Sequence, residues 1–186
     1  MRVFVTGIGG FVGRHLARHL LDLGWEVWGT VATPEALNDL VEGLPATQVF
    51  AADITDCEAL TGFVSRAKPD AVIHLAAVSS VASSWVDPAT TVRVNVLGTV
   101  SLLDAIRNSG VDPLVISIGS SEEYGHVPPS ELPVTESHAL RPSNPYAVSK
   151  AAQGWLALQY YDKYRIRTVH LRPFNHIGPD QPQGFI

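Results

Sequence analysis

The sequence has one cysteine, Cys57, and no long apolar run among its 186 residues. A single cysteine excludes an internal disulfide and a metal site built from several thiolates, and it is typical of a reducing compartment. No apolar stretch approaches the roughly 18 residues that cross a bilayer, and the first residues show no signal-peptide h-region. We therefore predict a cytoplasmic protein with no membrane segment and no metal.

Basic residues are also few, since 13 Lys and Arg stand against 18 Asp and Glu, for a formal net charge of −5. They are scattered, without the run or stripe that binds nucleic acid or an anionic membrane. We predict no nucleic-acid partner, and local backbone dipoles would have to hold any anionic ligand. Because 46% of the residues are hydrophobic and 17% are charged, the composition indicates a folded domain.

Short β-rich runs alternate along the chain with segments of helical period. Such alternation is typical of a parallel sheet with helices on both faces. The sequence therefore predicts one α/β domain over residues 1–186, with a Rossmann-like doubly wound parallel sheet. The predicted strands are Arg2–Thr6, Glu26–Val31, Gln48–Ala51, Ala71–Ala76, Pro113–Ile118 and Thr168–Arg172, and the predicted helices are Val12–Leu23, Pro88–Asn108 and Pro145–Tyr164.

The stretch TGIGGFVG, residues 6–13, follows the first predicted strand directly and opens the first helix. Gly7 permits a tight turn, Gly10 lets the backbone approach a pyrophosphate, and Gly13 permits close packing of helix on strand. Because a helix N-terminus also attracts anions, this turn predicts a dinucleotide site. The other predicted cofactor contacts in the turn are Ile8, Phe11 and Val12.

The end of the second strand distinguishes NAD(H) from NADP(H) in such sites. An acidic residue there binds the ribose 2′-hydroxyl of NAD(H), whereas an arginine binds the 2′-phosphate of NADP(H). Here the strand ends around Thr30 with neither group, and Arg14 is the nearest cation. We take Thr30 as a cofactor contact, and the choice of dinucleotide stays open.

Two further strand ends are candidate cofactor contacts. Asp53 and Ile54 follow the third strand, where a carboxylate can bond the adenine amino group. The small side chains of LAA close the fourth strand, where the cofactor must come near the backbone. The LAA residues are Leu75, Ala76 and Ala77.

Tyr146 and Lys150 are four residues apart near the start of the last predicted helix, which Asn144 and Pro145 mark. Residues i and i+4 share a helix face, so the phenol and the ammonium can enter one site. A nearby cation favours the phenolate, so we expect the pKa of Tyr146 to lie below its usual 10 or so.

Together, the glycine turn, the LAA strand end, the serine of GSSEEYG and the YxxxK pair resemble the extended short-chain dehydrogenase/reductase superfamily of nucleotide-sugar epimerases and dehydratases. The resemblance covers all 186 residues and includes the superfamily's NxxGT helix, here Asn95–Thr99. It implies an enzyme with Ser120, Tyr146 and Lys150 as its catalytic residues.

The resemblance also implies a role for each site residue. Ser120 bonds the sugar oxygen, Tyr146 exchanges its proton, and Lys150 holds the nicotinamide ribose and tunes Tyr146. Hydride passes between C4 of the nicotinamide and C4 of the hexose. The remaining assignments are Asn95, Pro173 and His176 to the cofactor, and Ser84, Ser121 and the phosphate-binding Asn175 to the substrate.

Three strings, SSEEYG, RPSNPYAVSKAAQGWLALQYY and RPFNHIGPDQPQGF, resemble the GDP-6-deoxy-4-keto-mannose reductases that form GDP-rhamnose and the related GDP-mannose 4,6-dehydratases. HIGPDQ favours the reductases. Glu122, however, occupies the position of the dehydratase acid/base, so a dehydratase or a bifunctional enzyme is the alternative. A non-catalytic dinucleotide-binding domain is the second alternative. The expected partner is a GDP-sugar.

Two further expectations concern assembly. The superfamily continues into a smaller substrate domain, so we expect one to follow Ile186. The helices Pro88–Asn108 and Pro145–Tyr164 carry apolar residues on more than one face, so we expect a homodimer through a four-helix bundle, the alternative being broad core helices. These residues include Val96, Val100, Leu103, Trp155, Leu158 and Tyr161.

Overall fold

A computed structural model of the chain describes residues 1–181, apart from the side chain of residue 39. Its six strands form one parallel sheet in the order β3-β2-β1-β4-β5-β6, which confirms the predicted fold class. The order reverses between β1 and β4, and ligands of such sheets bind in the crevice at that point. The strands are β1 (Arg2–Thr6), β2 (Glu26–Val31), β3 (Val49–Ala51), β4 (Ala71–His74), β5 (Leu114–Ile118) and β6 (Thr168–Leu171).

Helices cover both faces of the sheet because the central strands are apolar on both. In β1, Val3 and Val5 face a core that includes Leu20 of the first helix, whereas Phe4 faces a second core with Leu60 and Leu102. No helix of residues 1–181 is both long enough and apolar enough to cross a membrane. The helices are α1 (Phe11–Asp22), α2 (Cys57–Ala67), α3 (Val81–Val86), α4 (Pro88–Val92), α5 (Gly98–Ser109) and α6 (Pro145–Tyr164).

The helices depart from the sequence prediction in two places. Helices α2 and α3 were not predicted, and each begins at a side-chain cap: Asp56 accepts a bond from the Ala59 amide, and Ser80 accepts one from the Ser83 amide. The predicted helix Pro88–Asn108 is helical throughout but includes a π-helical turn, Arg93–Leu97.

Helix α6 begins as predicted, because the Oδ1 of Asn144 accepts a hydrogen bond from the Ala147 amide and Pro145 occupies the first position. Its outer face keeps large apolar residues in solvent, with Trp155 60% exposed. Leu103 of α5, in contrast, is buried in the core. The dimer therefore stays a prediction that rests on the exposed residues, which are Val92, Leu97, Val148, Trp155, Leu158 and Tyr161.

Candidate active site

The glycine turn lies at the carboxyl end of β1, beside β4. Gly7 has φ +71°, and a Cβ on it would lie 2.9 Å from the Ala76 backbone. A Cβ on Gly13 would overlap the carbonyl oxygen of Gly7. A side chain at either position would therefore force the turn apart. Both positions thus need glycine, as the tight turn and the close helix packing predicted for them imply.

The N-terminus of α1 is open to an anion. Gly10 occupies the cap position without a side chain to bond the first amides, and the first turn has no acidic residue. The amide of Arg14 makes the first bond within the helix, to the Gly10 carbonyl at 2.9 Å. The amides of the preceding three residues face the helix entrance, where the helix dipole also favours negative charge. This turn fits a dinucleotide pyrophosphate.

His74 lies beneath the turn and joins β1 to α5. Its Nδ1 lies 2.7 Å from the Thr6 hydroxyl, and its Nε2 lies 3.1 Å from the Thr99 hydroxyl. Thr99 donates to the Asn95 carbonyl and so accepts from Nε2, which leaves Nδ1 to accept from Thr6. Burial lowers the pKa of His74 to about 3, so the ring is neutral and serves the core.

Most of the residues predicted to contact the cofactor near the turn and the adjoining strand ends make hydrogen bonds through their backbone groups or pack in the core. Thr30 is buried, and its carbonyl accepts the Ile8 amide at 3.0 Å. Ile54 belongs to the core, and the Ala76 amide donates to the Thr6 hydroxyl. The other predicted residues here, Phe11, Val12, Leu75 and Ala77, are partly buried around the turn.

Asp53 is the charged member of the predicted adenosine contacts. Its carboxylate accepts bonds from the amide and hydroxyl of Thr55 and a 2.9 Å bond from Arg93. The Thr55 amide, followed by Arg93, holds its pKa below the usual range. The carboxylate is therefore ionised at neutral pH and can accept an amino group.

Ser120, Tyr146 and Lys150 meet at the carboxyl end of β5. Ser120 follows that strand, and its hydroxyl lies near enough to the Tyr146 phenol to lower the pKa of that phenol. The Lys150 Nζ lies 5.9 Å from the centroid of the Tyr146 ring. This nitrogen donates to the Ile118 carbonyl at 2.8 Å and to the Gln153 Oε1 at 3.2 Å. The three predicted side chains therefore form one cluster.

The pKa of Tyr146 differs from the sequence-based expectation. Burial raises it above its usual value; the Ser120 hydroxyl opposes this rise, and the charges of Glu123 and Glu122 add to it. The expected lowering by Lys150 is not found, and burial of the phenol sets the direction of the shift instead. Burial likewise lowers the pKa of Lys150 to about 8. The phenol is thus protonated at neutral pH.

The adjacent carboxylates Glu122 and Glu123 lie in different environments. Glu122 is exposed and accepts a 2.9 Å bond from the Asn144 side-chain amide. Glu123 is 1% exposed and accepts bonds from the Ser120 amide and from His170. The exposed carboxylate is the one that sits beside the α6 cap, at the mouth of the site.

The predicted residues outside this cluster occupy varied positions. Asn95 is fully buried and bonds both backbone groups of Val78 and the Ser149 hydroxyl. The Ser84 hydroxyl is also buried and donates to the Val81 carbonyl.

The last group of predicted residues lies at the rim of the site. The Ser121 amide donates to the Pro173 carbonyl at 2.9 Å, which ties the GSSEEYG turn to the loop after β6. Asn175 and His176 lie exposed in that loop. Pro182–Phe185, which end the string RPFNHIGPDQPQGF, lie outside the described residues.

Sequence reasoning missed four polar residues behind the cluster, of which three are buried and one, His170, is partly buried. They are far apart in sequence, on β5, the turn after it, α6 and β6, so no local spacing reveals them. Only Gln153, one helical turn after Lys150, has a readable position. The four residues are Ser117, Glu123, Gln153 and His170.

The strand order, the glycine turn and the Ser–Tyr–Lys cluster define the extended short-chain dehydrogenases/reductases. Solved structures agree. RMD from Pseudomonas aeruginosa complexed with NADPH superposes with a TM-score of 0.83 at 36% identity, covering 100% of this chain and 56% of that one. UDP-glucose 4-epimerase of Thermus thermophilus, complexed with NAD, gives 0.81 at 36% identity, covering 92% and 54%.

Within this class, the chain belongs to the GDP-mannose 4,6 dehydratase family, whose model matches residues 4–186. GDP-6-deoxy-D-mannose reductase of Pseudomonas aeruginosa is 40% identical over 185 residues, which are 100% of this chain and 55% of that protein. The chain thus spans about half the length of the curated relatives that it matches.

Proposed function

We propose that the protein is an NADPH-dependent nucleotide-sugar reductase that converts the C4 ketone of GDP-4-keto-6-deoxy-D-mannose to the alcohol of GDP-D-rhamnose. The observation that carries this proposal is the cluster of Ser120, Tyr146 and Lys150 at the same edge of the sheet as an open helix N-terminus. The 40% identity to a GDP-6-deoxy-D-mannose reductase supports the substrate.

The chain's own residues divide the binding work. The α1 amides after Gly10 hold the pyrophosphate, and Asp53 accepts from the adenine amino group. Lys150 donates to the ribose of the nicotinamide, with Asn95 behind it fixing the loop at Val78 through both backbone bonds. When bound, the dihydronicotinamide supplies a hydride.

At the reacting carbon, Ser120 and Tyr146 orient the ketone by bonding its oxygen. Tyr146 then gives its proton to that oxygen as negative charge develops. A reductase requires a protonated phenol at the start of this step. The raised pKa of Tyr146 meets that requirement, so the phenol's environment favours the reducing direction.

Dehydration is the second candidate because Glu122 stands two residues after Ser120. A dehydratase must take a proton from C5 and expel the C6 hydroxyl, which calls for an additional acid/base. Glu122 is exposed and bonded to Asn144, whereas a base that works on C5 benefits from the raised pKa that burial gives. This position supports reductase over dehydratase, and in the proposed reductase Glu122 binds the sugar's hydroxyls.

NADPH is proposed over NADH on charge. β2 ends at Val31, and its tip around Thr30 has no carboxylate to repel a 2′-phosphate. A cavity of about 460 Å³ beside α1 is lined by the guanidinium groups of Arg14 and Arg18 and, across from the helix, by the carboxylates of Glu42 and Asp180, so that the helix itself presents two arginines close to the glycine turn. The NADPH complex of the Pseudomonas aeruginosa RMD is consistent with this choice.

We also propose that α5 and α6 of two copies pair as a homodimer, because the outer face of α6 exposes Trp155, Leu158 and Tyr161. A Trp155→Glu variant would place a charge in that interface. The expected result is a shift from dimer to monomer in sedimentation velocity. An unchanged sedimentation coefficient would contradict the pairing.

A pair of reactions tests the proposed chemistry. The chain loaded with NADPH is mixed with GDP-4-keto-6-deoxy-D-mannose, and separately the chain with NADP⁺ is mixed with GDP-mannose. The proposal predicts NADPH oxidation with GDP-rhamnose formed in the first, and no 4-keto sugar in the second. The opposite pair of results would identify a dehydratase, and NADPH binding without either reaction would indicate the non-catalytic alternative.

A further inference from the structure

A continuous chain of buried hydrogen bonds runs behind the catalytic cluster, from Lys150 to Glu123. Lys150 donates to the Gln153 Oε1 at 3.2 Å, and the Gln153 amide donates to the Ser117 hydroxyl at 2.9 Å. Ser117 lies 3.1 Å from the His170 Nδ1, and the His170 Nε2 lies 3.0 Å from the Glu123 carboxylate. Four of the five side chains are 3% exposed or less.

The donors of this chain all point one way. Because the Gln153 amide donates to Ser117, the Ser117 proton is available for the His170 Nδ1. The Nε2–H of His170 then donates to Glu123. Each link thus runs from the ammonium at one end to the carboxylate at the other, and successive bonds of this kind polarise one another.

The same carboxylate also reaches Ser120. The Glu123 Oε1 accepts the Ser120 amide at 2.8 Å, and the Ser120 hydroxyl accepts the Glu122 amide at 3.2 Å. The buried carboxylate of Glu123 therefore accepts a bond from the backbone of Ser120. It is also the last acceptor in the series of hydrogen bonds that begins at Lys150.

Two glycines provide the space for this arrangement. A Cβ on Gly119 would overlap the Glu123 carboxylate and the His170 ring. A Cβ on Gly154 would lie 2.7 Å from the His170 ring atoms. Glycine within a helix costs about 1 kcal/mol relative to alanine. Its presence at position 154 of α6 is explained by the His170 imidazole, which occupies the space that a Cβ would need.

Within residues 1–181, the buried ammonium of Lys150 has no carboxylate among its direct hydrogen-bond acceptors. Its direct bonds go to neutral acceptors, and burial lowers its pKa, while the charge of Glu123 raises it. The titratable groups around it are Glu122 and Glu123 in the turn after β5, Tyr146 on its own helix, His74 on β4 and His170 on β6. A buried ammonium requires a counter-charge, and Glu123 is the fully buried carboxylate among these groups.

We propose that Glu123 and His170 are positioning residues that act on both ends of the catalytic cluster, holding Ser120 by its amide and keeping Lys150 charged and oriented through Ser117 and Gln153. The inference rests on the proposed function only in treating Ser120 and Lys150 as catalytic. The linkage itself is a property of the unliganded chain.

The test measures Lys150 directly. The sequence has three lysines, at 68, 150 and 163, so NMR of ¹³C-labelled lysine side chains resolves the titration of each. In the unliganded Glu123→Gln variant, which keeps an acceptor for the Ser120 amide but loses the charge, the pKa of Lys150 falls by about half a pH unit or more. The two other lysines report general changes and keep their titrations.

Glu122→Gln is the matched control, since it removes the neighbouring, exposed carboxylate. It leaves the pKa of Lys150 within about 0.2 of the wild-type value. A folded Glu123→Gln protein with an unchanged Lys150 titration would overturn the proposal, as would an equal shift in both variants.

Ser117→Ala interrupts the series of hydrogen bonds by removing one hydroxyl. This variant is the alternative test if Glu123→Gln does not fold. It keeps the charge of Glu123 and is expected to lower the pKa of Lys150 in the same direction by a smaller amount. An unchanged value in that variant would contradict a linkage through Ser117. Because no cofactor or sugar is present, a wild-type chain that fails to reduce a sugar ketone would refute the proposed function while leaving this result to stand or fall separately.

Discussion

The two sides of the ligand crevice are built differently. The proposed nucleotide side, around the carboxyl ends of β1 to β3 and the start of α1, presents mainly backbone groups and open helix amides. The catalytic side, around the carboxyl ends of β4 and β5 and the first half of α6, depends on buried polar side chains that bond one another. On the first side we expect most substitutions that leave the backbone in place to be tolerated, apart from those at Asp53. The second depends on the identity of each member.

The largest expected effect tests the catalytic side. Tyr146→Phe removes the proposed proton donor while preserving the ring. We expect the rate of ketone reduction to fall about 10³-fold, with NADPH affinity changed by less than about threefold. Stopped-flow NADPH oxidation and fluorescence titration of NADPH measure the two. A variant that keeps more than a tenth of the wild-type rate would contradict the assignment.

Gly13→Ala makes the corresponding test on the nucleotide side. The added Cβ overlaps the Gly7 carbonyl, which belongs to the backbone and cannot rotate away. We expect NADPH affinity to fall about 100-fold, because the turn must open where it meets the pyrophosphate.

The control for this substitution is Gly62→Ala in α2, where a Cβ meets nothing within 4 Å. Alanine there removes a helix-interior glycine, so the variant should be more stable by about 0.5–1 kcal/mol and bind NADPH normally. Equal NADPH affinity in the two variants would show that the turn does not depend on close packing at Gly13.

His74 is hydrogen-bonded to Thr6 on the nucleotide side and to Thr99 of α5. Protonation of its ring should therefore destabilise the fold on both sides of the crevice. Its pKa of about 3 in the folded chain lies below the ordinary 6.5, so the unfolded chain takes up a proton first as the pH falls. Stability from this group is present above pH 6.5 and is lost between 6.5 and 3, at about 1.4 kcal/mol per pH unit.

Urea unfolding of the wild type and of His74→Gln at pH 7 and pH 5 measures this effect. Glutamine can keep both hydrogen bonds but does not titrate. We expect the wild type to lose about 2 kcal/mol more than the variant between these two pH values. Equal losses would show that His74 is not buried in its neutral form.

The smallest expected effect is that of Glu122→Gln. In a reductase this exposed carboxylate touches only sugar hydroxyls, so we expect the reduction rate to fall less than about threefold. A loss of about 100-fold or more would give Glu122 the proton-transfer role of a dehydratase. Stopped-flow NADPH oxidation by the 4-keto sugar distinguishes the two outcomes.

How far the sequence predicts the molecule follows the same division. The six strands, the glycine turn and the start of α6 could be predicted, because each depends on neighbours within a few residues: Gly7 and Gly13 on a turn, Asn144 and Pro145 on a cap. Helix α2 has its apolar residues at i, i+4 and i+7, but Gly62 weakens its intrinsic helix preference. It was missed for that local reason.

The series of hydrogen-bonded side chains behind the catalytic cluster could not be predicted, because the fold brings its members together from segments up to 53 residues apart. These side chains are Ser117, Glu123, Gln153 and His170. The raised pKa of Tyr146 was missed for a related reason. The spacing of Tyr146 and Lys150 predicts a neighbouring cation, but it does not reveal that burial acts more strongly on the phenol.

The most direct test of the proposed reduction follows the hydride itself. NADPH deuterated at the transferable C4 position is bound to the chain, GDP-4-keto-6-deoxy-D-mannose is added, and the product is examined by mass spectrometry and NMR. The account predicts one deuterium at C4 of the GDP-rhamnose formed by the wild type, and almost none in product from Tyr146→Phe over the same time. Deuterium that stays on the cofactor in the wild type, with NADPH bound and the ketone unreacted, would contradict it.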